Sequence, residues 1–122
     1  MMNAPSAVTA LIVDDEVFIA MDIAYMVGEC GLSVLDPAIS LQQAFSIIES
    51  TCPDVALMDI NIGRDKIWPV ARRLKSQGCP IVFISANAHH DELATEFAGA
   101  PVLDKPVSMD ALQTCLRGIL AT

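Results

Sequence analysis

Short apolar runs alternate along this chain with stretches whose apolar residues recur at helical spacing, and no other feature narrows the fold as far. A run of four to seven apolar residues suits a strand covered on both faces, and strands that alternate with helices form βα units around a parallel sheet. Five strands are predicted: Ala7 to Val13, Leu32 to Leu35, Val55 to Met58, Ile81 to Ile84, and Val102 to Leu103. The first, third and fourth are nearly continuous in apolar residues and are expected at the centre. Right-handed crossovers then give an α/β fold, a doubly wound five-stranded parallel sheet with five helices, whose binding edge lies beyond the carboxyl ends of the strands.

The helical segments fill the gaps. About Val17 to Cys30, an inward face of Ile19, Ile23, Met26, Val27 and Cys30 is broken only by Asp22. Ser40 with Gln43 three residues on reads as a capping box, opening a helix that buries Leu41, Ala44, Phe45 and Ile48. The third segment turns Ile67, Val70, Ala71 and Leu74 inward, with Pro69 in its first turn. A fourth, near Asp91 to Phe97, has weak periodicity, and a fifth from Ser108 carries Leu112, Cys115, Leu116, Ile119 and Leu120. Met21, Met26, Phe45 and Phe83 are expected in the core, Trp68 as packing for the loop ahead of it, and His89-His90 on a mobile surface turn.

Length and charge exclude several functions. At 122 residues the chain has room for one domain, read as 1–122 with a core of about 9–120. A net charge of −8 with only seven Lys and Arg excludes nucleic acid and anionic membrane as partners, and no segment is apolar for long enough to span a bilayer. Apolar residues reach 53%, a surplus that leaves room for a weak homodimer. Cys30, Cys52, Cys79 and Cys115 show no C-x-x-C pair, and with no export signal they are expected as reduced thiols in the cytoplasm.

Chemistry gathers at the strand ends. The first strand finishes in Asp14-Asp15-Glu16, the third in Asp59, the fourth in Ser85-Ala86 and the fifth in Asp104-Lys105-Pro106. In a parallel sheet these ends share one edge, with neighbouring strands about 5 Å apart. Carboxylates that close repel by about 4 kcal/mol per pair at an effective dielectric near 20, so a cation is required. A few carboxylates suit Mg²⁺ retaining its waters better than a Ca²⁺ cage, and Lys105 adds a second positive charge. A metal, a lysine and a hydroxyl around one carboxylate form a phosphoryl-binding arrangement, in which Asp59 can act as acceptor through an acyl phosphate.

With LIVDDE, LMDINIG, FISA and LDKPV in this order, the chain resembles the receiver domains of two-component response regulators from about Thr9 to Leu120. The resemblance implies the flavodoxin-like strand order 2-1-3-4-5 and Asp59 as phosphoacceptor. It implies Mg²⁺ held by Asp14, Asp15, Asp59 and the backbone carbonyl of Asn61. Ser85, with Ala86, and Lys105 would bind phosphoryl oxygens, and the Lys105-Pro106 bond would be cis. The implied donor is a sensor histidine kinase or a histidine phosphotransfer protein, and the output is contact with a downstream protein target.

Two departures matter. Many receivers carry Tyr or Phe three residues before the lysine; here that position is Val102, so an aromatic switch cannot operate there. Pro80 to Asn87 begins like the Pro-Phe-x-Phe-Ala-Thr-Gly-Tyr pattern of some stand-alone receivers but ends in Asn87. Activation is therefore expected through backbone rearrangement of the Ala86 to Ala98 stretch, with Asn61 and Asn87 tuning the phosphoryl lifetime. The leading expectation is a stand-alone receiver, without an output domain after Thr122 and not itself an enzyme, that signals, relays or acts as a phosphate sink for a kinase. The alternatives are a phosphorylation-independent pseudo-receiver and a small phosphohydrolase. The hydrolase is disfavoured because Asn61 stands where a general acid would be wanted.

Overall fold

In the computed structural model, which describes residues 8–87 and 89–120, five strands form one parallel sheet: β1 (Thr9–Val13), β2 (Ser33–Val34), β3 (Val55–Asp59), β6 (Ile81–Ser85) and β7 (Val102–Asp104). Their spatial order is β2-β1-β3-β6-β7, the expected 2-1-3-4-5 once the main-sheet strands alone are counted. Helices α1 (Val17–Glu29), α2 (Leu41–Ser50), α3 (Trp68–Ser76), α4 (Asp91–Ala94) and α5 (Met109–Leu120) connect them. Every residue of β3 and β6 is buried, as two-sided coverage demands.

The core falls into two layers. On one face, Leu11, Met58, Ile60 and Phe83 meet α2 and α3 through Ala44, Ile48, Val70 and Leu74; on the other, Ile12, Leu57 and Ile84 meet α1 and α5 through Ile23, Val27, Leu112 and Leu116. Each fully buried Leu, Ile or Phe contributes roughly 1.5–3 kcal/mol, so these layers fix the sheet and hold its edge rigid. The α2 cap follows its sequence signature: Ser40 Oγ accepts from Gln43 N at 3.1 Å, while Gln43 Oε1 accepts from Ile39 N at 2.8 Å.

Four features differ from expectation. A second, two-stranded antiparallel sheet, β4 (Asn61–Ile62) with β5 (Asp65–Lys66), forms in the connection after β3. Its two-residue loop begins at Gly63 with φ +62°, the first central position of a hairpin turn, where glycine takes a positive φ without steric cost. Second, α4 stops after four residues. The Thr95 hydroxyl donates to Asp91 O and Phe97 N donates to Glu92 O, which ends the regular ladder and turns Phe97 under Trp68 and Phe83.

Third, Met21 is 58% exposed and not in the core. It shares the outer face of α1 with Val17, Phe18 and Tyr25, while Ala20, Ile23 and Val27 take the inner face. Fourth, only His89 is on the surface; His90 is half-buried with its ring edge-on to Trp68 at 5.7 Å. Trp68 itself is 6% exposed, which settles it as packing. The first strand begins at Thr9, and Ala7 lies outside the described residues.

Candidate functional site

The register of the sheet brings the strand ends together. Val13 pairs with Met58, Asp59 with Ile84, and Ser85 with Asp104, so Asp14, Asp59, Ser85 and Lys105 emerge side by side on one edge. Asp59 is 8% exposed and Asp14 1%, whereas Asp15 is open to solvent. Asp15, Asp59, Ser85 and Lys105 line a cleft of about 270 Å³ together with Glu16, Asn61, Gly63, Ala86 and Asn87, and Asp14 joins Asp15 and Asp59 in one acidic cluster.

Lys105 Nζ lies 2.9 Å from Asp59 Oδ2 and 3.0 Å from Asp14 Oδ2. The Lys105–Pro106 peptide bond is cis. Burial alone would lower the lysine pKa, but the hydrogen bonds to Asp59 and Asp14 outweigh it, so Lys105 titrates above its ordinary range and stays charged. The other oxygens of the two acids take backbone donors: Glu16 N reaches Asp14 Oδ1 at 2.9 Å and Asn61 N reaches Asp59 Oδ1 at 3.3 Å. Asp14 Oδ2 is buried with only the ionic contact to Lys105 and no well-aligned hydrogen bond.

One oxygen from each of Asp14, Asp15 and Asp59 lies within 4.8 Å of the others. Three carboxylates this close, one of them holding an under-satisfied buried oxygen, fit a divalent cation with hard oxygen ligands. Burial raises the Asp14 pKa, against the opposing pull of the Glu16 N–H and Lys105. The folded chain therefore holds this proton more tightly than the unfolded chain, and the stability contributed by Asp14 falls as pH rises from 3.8 through the raised value. Asp14→Asn is expected to stabilise the metal-free protein at neutral pH, the gain shrinking toward pH 3.8. Urea denaturation across that range measures it, and a gain that grows on acidification would contradict it.

Ser85 is buried and turned toward its own loop. Its Oγ donates to Asn87 O at 2.7 Å and accepts from Asn87 N at 3.1 Å, while Asn87 Oδ1 accepts from His89 N at 2.9 Å. Ala86 and Asn87 thus line the cleft on the β6 side. Val102 lies opposite Phe83 in register and packs half-buried against the layer containing Trp68, Phe83 and Phe97.

The β4–β5 hairpin closes the other side, and sequence reasoning missed it. Gly63 N donates to Asp15 Oδ2 at 2.9 Å, and Lys66 Nζ donates to Asn61 Oδ1. Ile67 N bonds Ile60 O at 2.8 Å, and buried Ile60, Ile62 and Ile67 anchor the hairpin to the core. The available signal was the two-residue loop Gly63-Arg64 between Asn-Ile and Asp-Lys, a Gly-first hairpin pattern.

The family model of the response regulator receiver domain matches residues 10–117. The chain belongs to this family. Receiver domains are signalling modules of two-component systems and bind Mg²⁺ in an acidic pocket, which the Asp14–Asp15–Asp59 cluster supplies here. Over 114 residues the chain is 35% identical to the positive alginate biosynthesis regulatory protein of Pseudomonas aeruginosa, covering 88% of this chain and 45% of that one. It spans about half the length of the curated relatives it matches. The crystal structure of a response regulator receiver protein from Sinorhizobium medicae superimposes with TM-score 0.83 at 26% identity, covering 96% of this chain and 97% of that one. The response regulator PhyR from Brucella abortus gives 0.79 at 27% identity, covering 93% of this receiver and 48% of PhyR.

Proposed function

We propose that this receiver domain accepts a phosphoryl group on Asp59 from a phosphohistidine donor and reports it by changing protein contacts. The carrying observation is the convergence on Asp59: a lysine ammonium at 2.9 Å, oxygens of two further carboxylates within 4.8 Å, and a hydroxyl loop on the adjoining strand. Asp14, Asp15, Asp59 and the carbonyl of Asn61 would hold Mg²⁺, which when bound supplies positive charge for the phosphoryl oxygens.

The chain's own residues do the rest. An Asp59 oxygen attacks phosphorus, the P–N bond to the donor imidazole breaks, and its electron pair stays on the ring nitrogen, which solvent reprotonates. Lys105, already bonded to Asp59, is placed to follow the charge onto the phosphoryl oxygens. The Ser85 hydroxyl and Ala86 N–H offer donors on the β6 side. Asn61 and Asn87 flank the group and set its lifetime. With Val102 unable to swing, the change passes through the 86–98 backbone to the Trp68 contact.

Incubation with Mg²⁺ and acetyl phosphate tests this reading: intact-mass spectra should show one phosphoryl adduct, lost when the metal is chelated beforehand. No adduct, with amide spectra also unmoved by beryllofluoride, would favour the phosphorylation-independent interaction module. A stand-alone chain would act as an effector, a relay or a phosphate sink; a receiver within a longer regulator would act on attached domains.

Helix α1 begins right after Glu16, which lines the cleft, and offers a protein donor an apolar surface beside it. There Phe18 is 83% exposed, next to Val17, Met21 and Tyr25. Phe18→Asp is expected to slow transfer from a phosphohistidine protein about tenfold while leaving uptake from acetyl phosphate unchanged, since an exposed aromatic anchor acts only in docking. Equal rates from the protein donor would remove α1 from the docking face.

A further inference from the structure

The β4–β5 hairpin places Lys66 directly opposite Asn61, and the two side chains are bonded across the strand pair. An ammonium has three donors and no acceptor, so the Asn61 atom it meets must be the carbonyl oxygen. The amide is planar, and committing Oδ1 to Lys66 turns the NH₂ the other way. Asn61 lines the cleft with Asp59, and with Oδ1 committed to Lys66 the NH₂ is the part of the amide left free to bond a group there.

We propose that Lys66 is a positioning residue that fixes the orientation of the Asn61 amide and thereby lengthens the life of the phosphoryl group on Asp59. This rests on the phosphoacceptor reading above. In hydrolysis a water oxygen attacks phosphorus and the P–O bond to Asp59 breaks, its electron pair returning to the carboxylate. The two water protons leave with the phosphate, so acyl phosphate and water become carboxylate and dihydrogen phosphate. An acceptor beside the water would take one of its hydrogen bonds and orient the attack. An amide that shows only N–H groups cannot do this, but it can hold a phosphoryl oxygen.

Lys66 is exposed, so replacing it leaves the core intact. After loading with acetyl phosphate and removing the donor, Lys66→Met is expected to lose the adduct about fivefold faster than wild type, the rate equivalent of one hydrogen bond. Lys66→Arg, another pure donor, should restore the wild-type lifetime. In an Asn61→Ala background, Lys66→Met should change nothing further.

An unchanged or longer lifetime in Lys66→Met overturns the proposal. So does an effect that persists in the Asn61→Ala background, which would assign Lys66 a charge effect on the site. A side-chain readout on the unphosphorylated protein separates this proposal from the phosphoacceptor reading: the Asn61 NH₂ resonances should move in Lys66→Met and return in Lys66→Arg. Unmoved resonances overturn the positioning role, whereas a wild type that never gains the adduct overturns the phosphoacceptor reading and this role with it.

Discussion

Asp59→Asn is expected to abolish phosphoryl uptake completely while leaving the fold intact. The amide is nearly the same size as the carboxylate, and its oxygen can still accept from Lys105 Nζ or Asn61 N, the two bonds that position the native side chain. What it lacks is the anionic oxygen that would attack phosphorus and one of the three carboxylates that would hold the cation. Neighbouring acids cannot substitute: Asp14 is buried against Lys105, and Asp15 is held by the Gly63 N–H. Intact mass after acetyl phosphate and Mg²⁺ treatment measures the loss. A residual adduct at wild-type yield would move the acceptor elsewhere and sink the assignment.

The second large effect concerns stability. Trp68→Ala should cost about 3–5 kcal/mol of unfolding free energy, or about 10–20 °C in Tm for a domain of this size. The indole stacks on Phe97 at 5.7 Å and meets Phe83 and His90 edge-on at 5.6 and 5.7 Å. Its removal leaves a cavity that these rings cannot all collapse to fill. Phe83 belongs to the fully buried β6 of the central sheet, which holds one wall of that cavity in place. Urea and thermal denaturation give the value, and a cost below about 1 kcal/mol would mean that the cluster repacks freely.

Asp59, Asp14, Asp15 and Lys105 were legible because each ends or follows an apolar run, and a parallel sheet sends all such ends to one edge. The central strands were legible for the same reason, since burial on both faces leaves little but Val, Ile, Leu and Met. Met21 was misplaced because α1 is apolar on nearly every side, so periodicity cannot tell its inner from its outer face. A short, weak fourth helix was legible, but its end at Ala94 was not, because Phe97 obeys a tertiary demand, burial beneath Trp68, that no local pattern encodes. The hairpin went unseen because two-residue strands carry too few positions to show alternation. Lys66 was therefore not singled out, although its partner Asn61 was already suspected.

The Ser85 hydroxyl carries a consequence for how such a domain can be switched. A hydroxyl has one proton, and here it goes to the Asn87 carbonyl, with the oxygen taking the Asn87 N–H in return. A phosphoryl oxygen on Asp59 would ask for the same proton, and both requests cannot be granted at once. The loop and the acceptor are thus rivals for a single particle, which makes their coupling exclusive by stoichiometry. Such a switch needs no large moving part, and a chain with valine at position 102 has none there to spare.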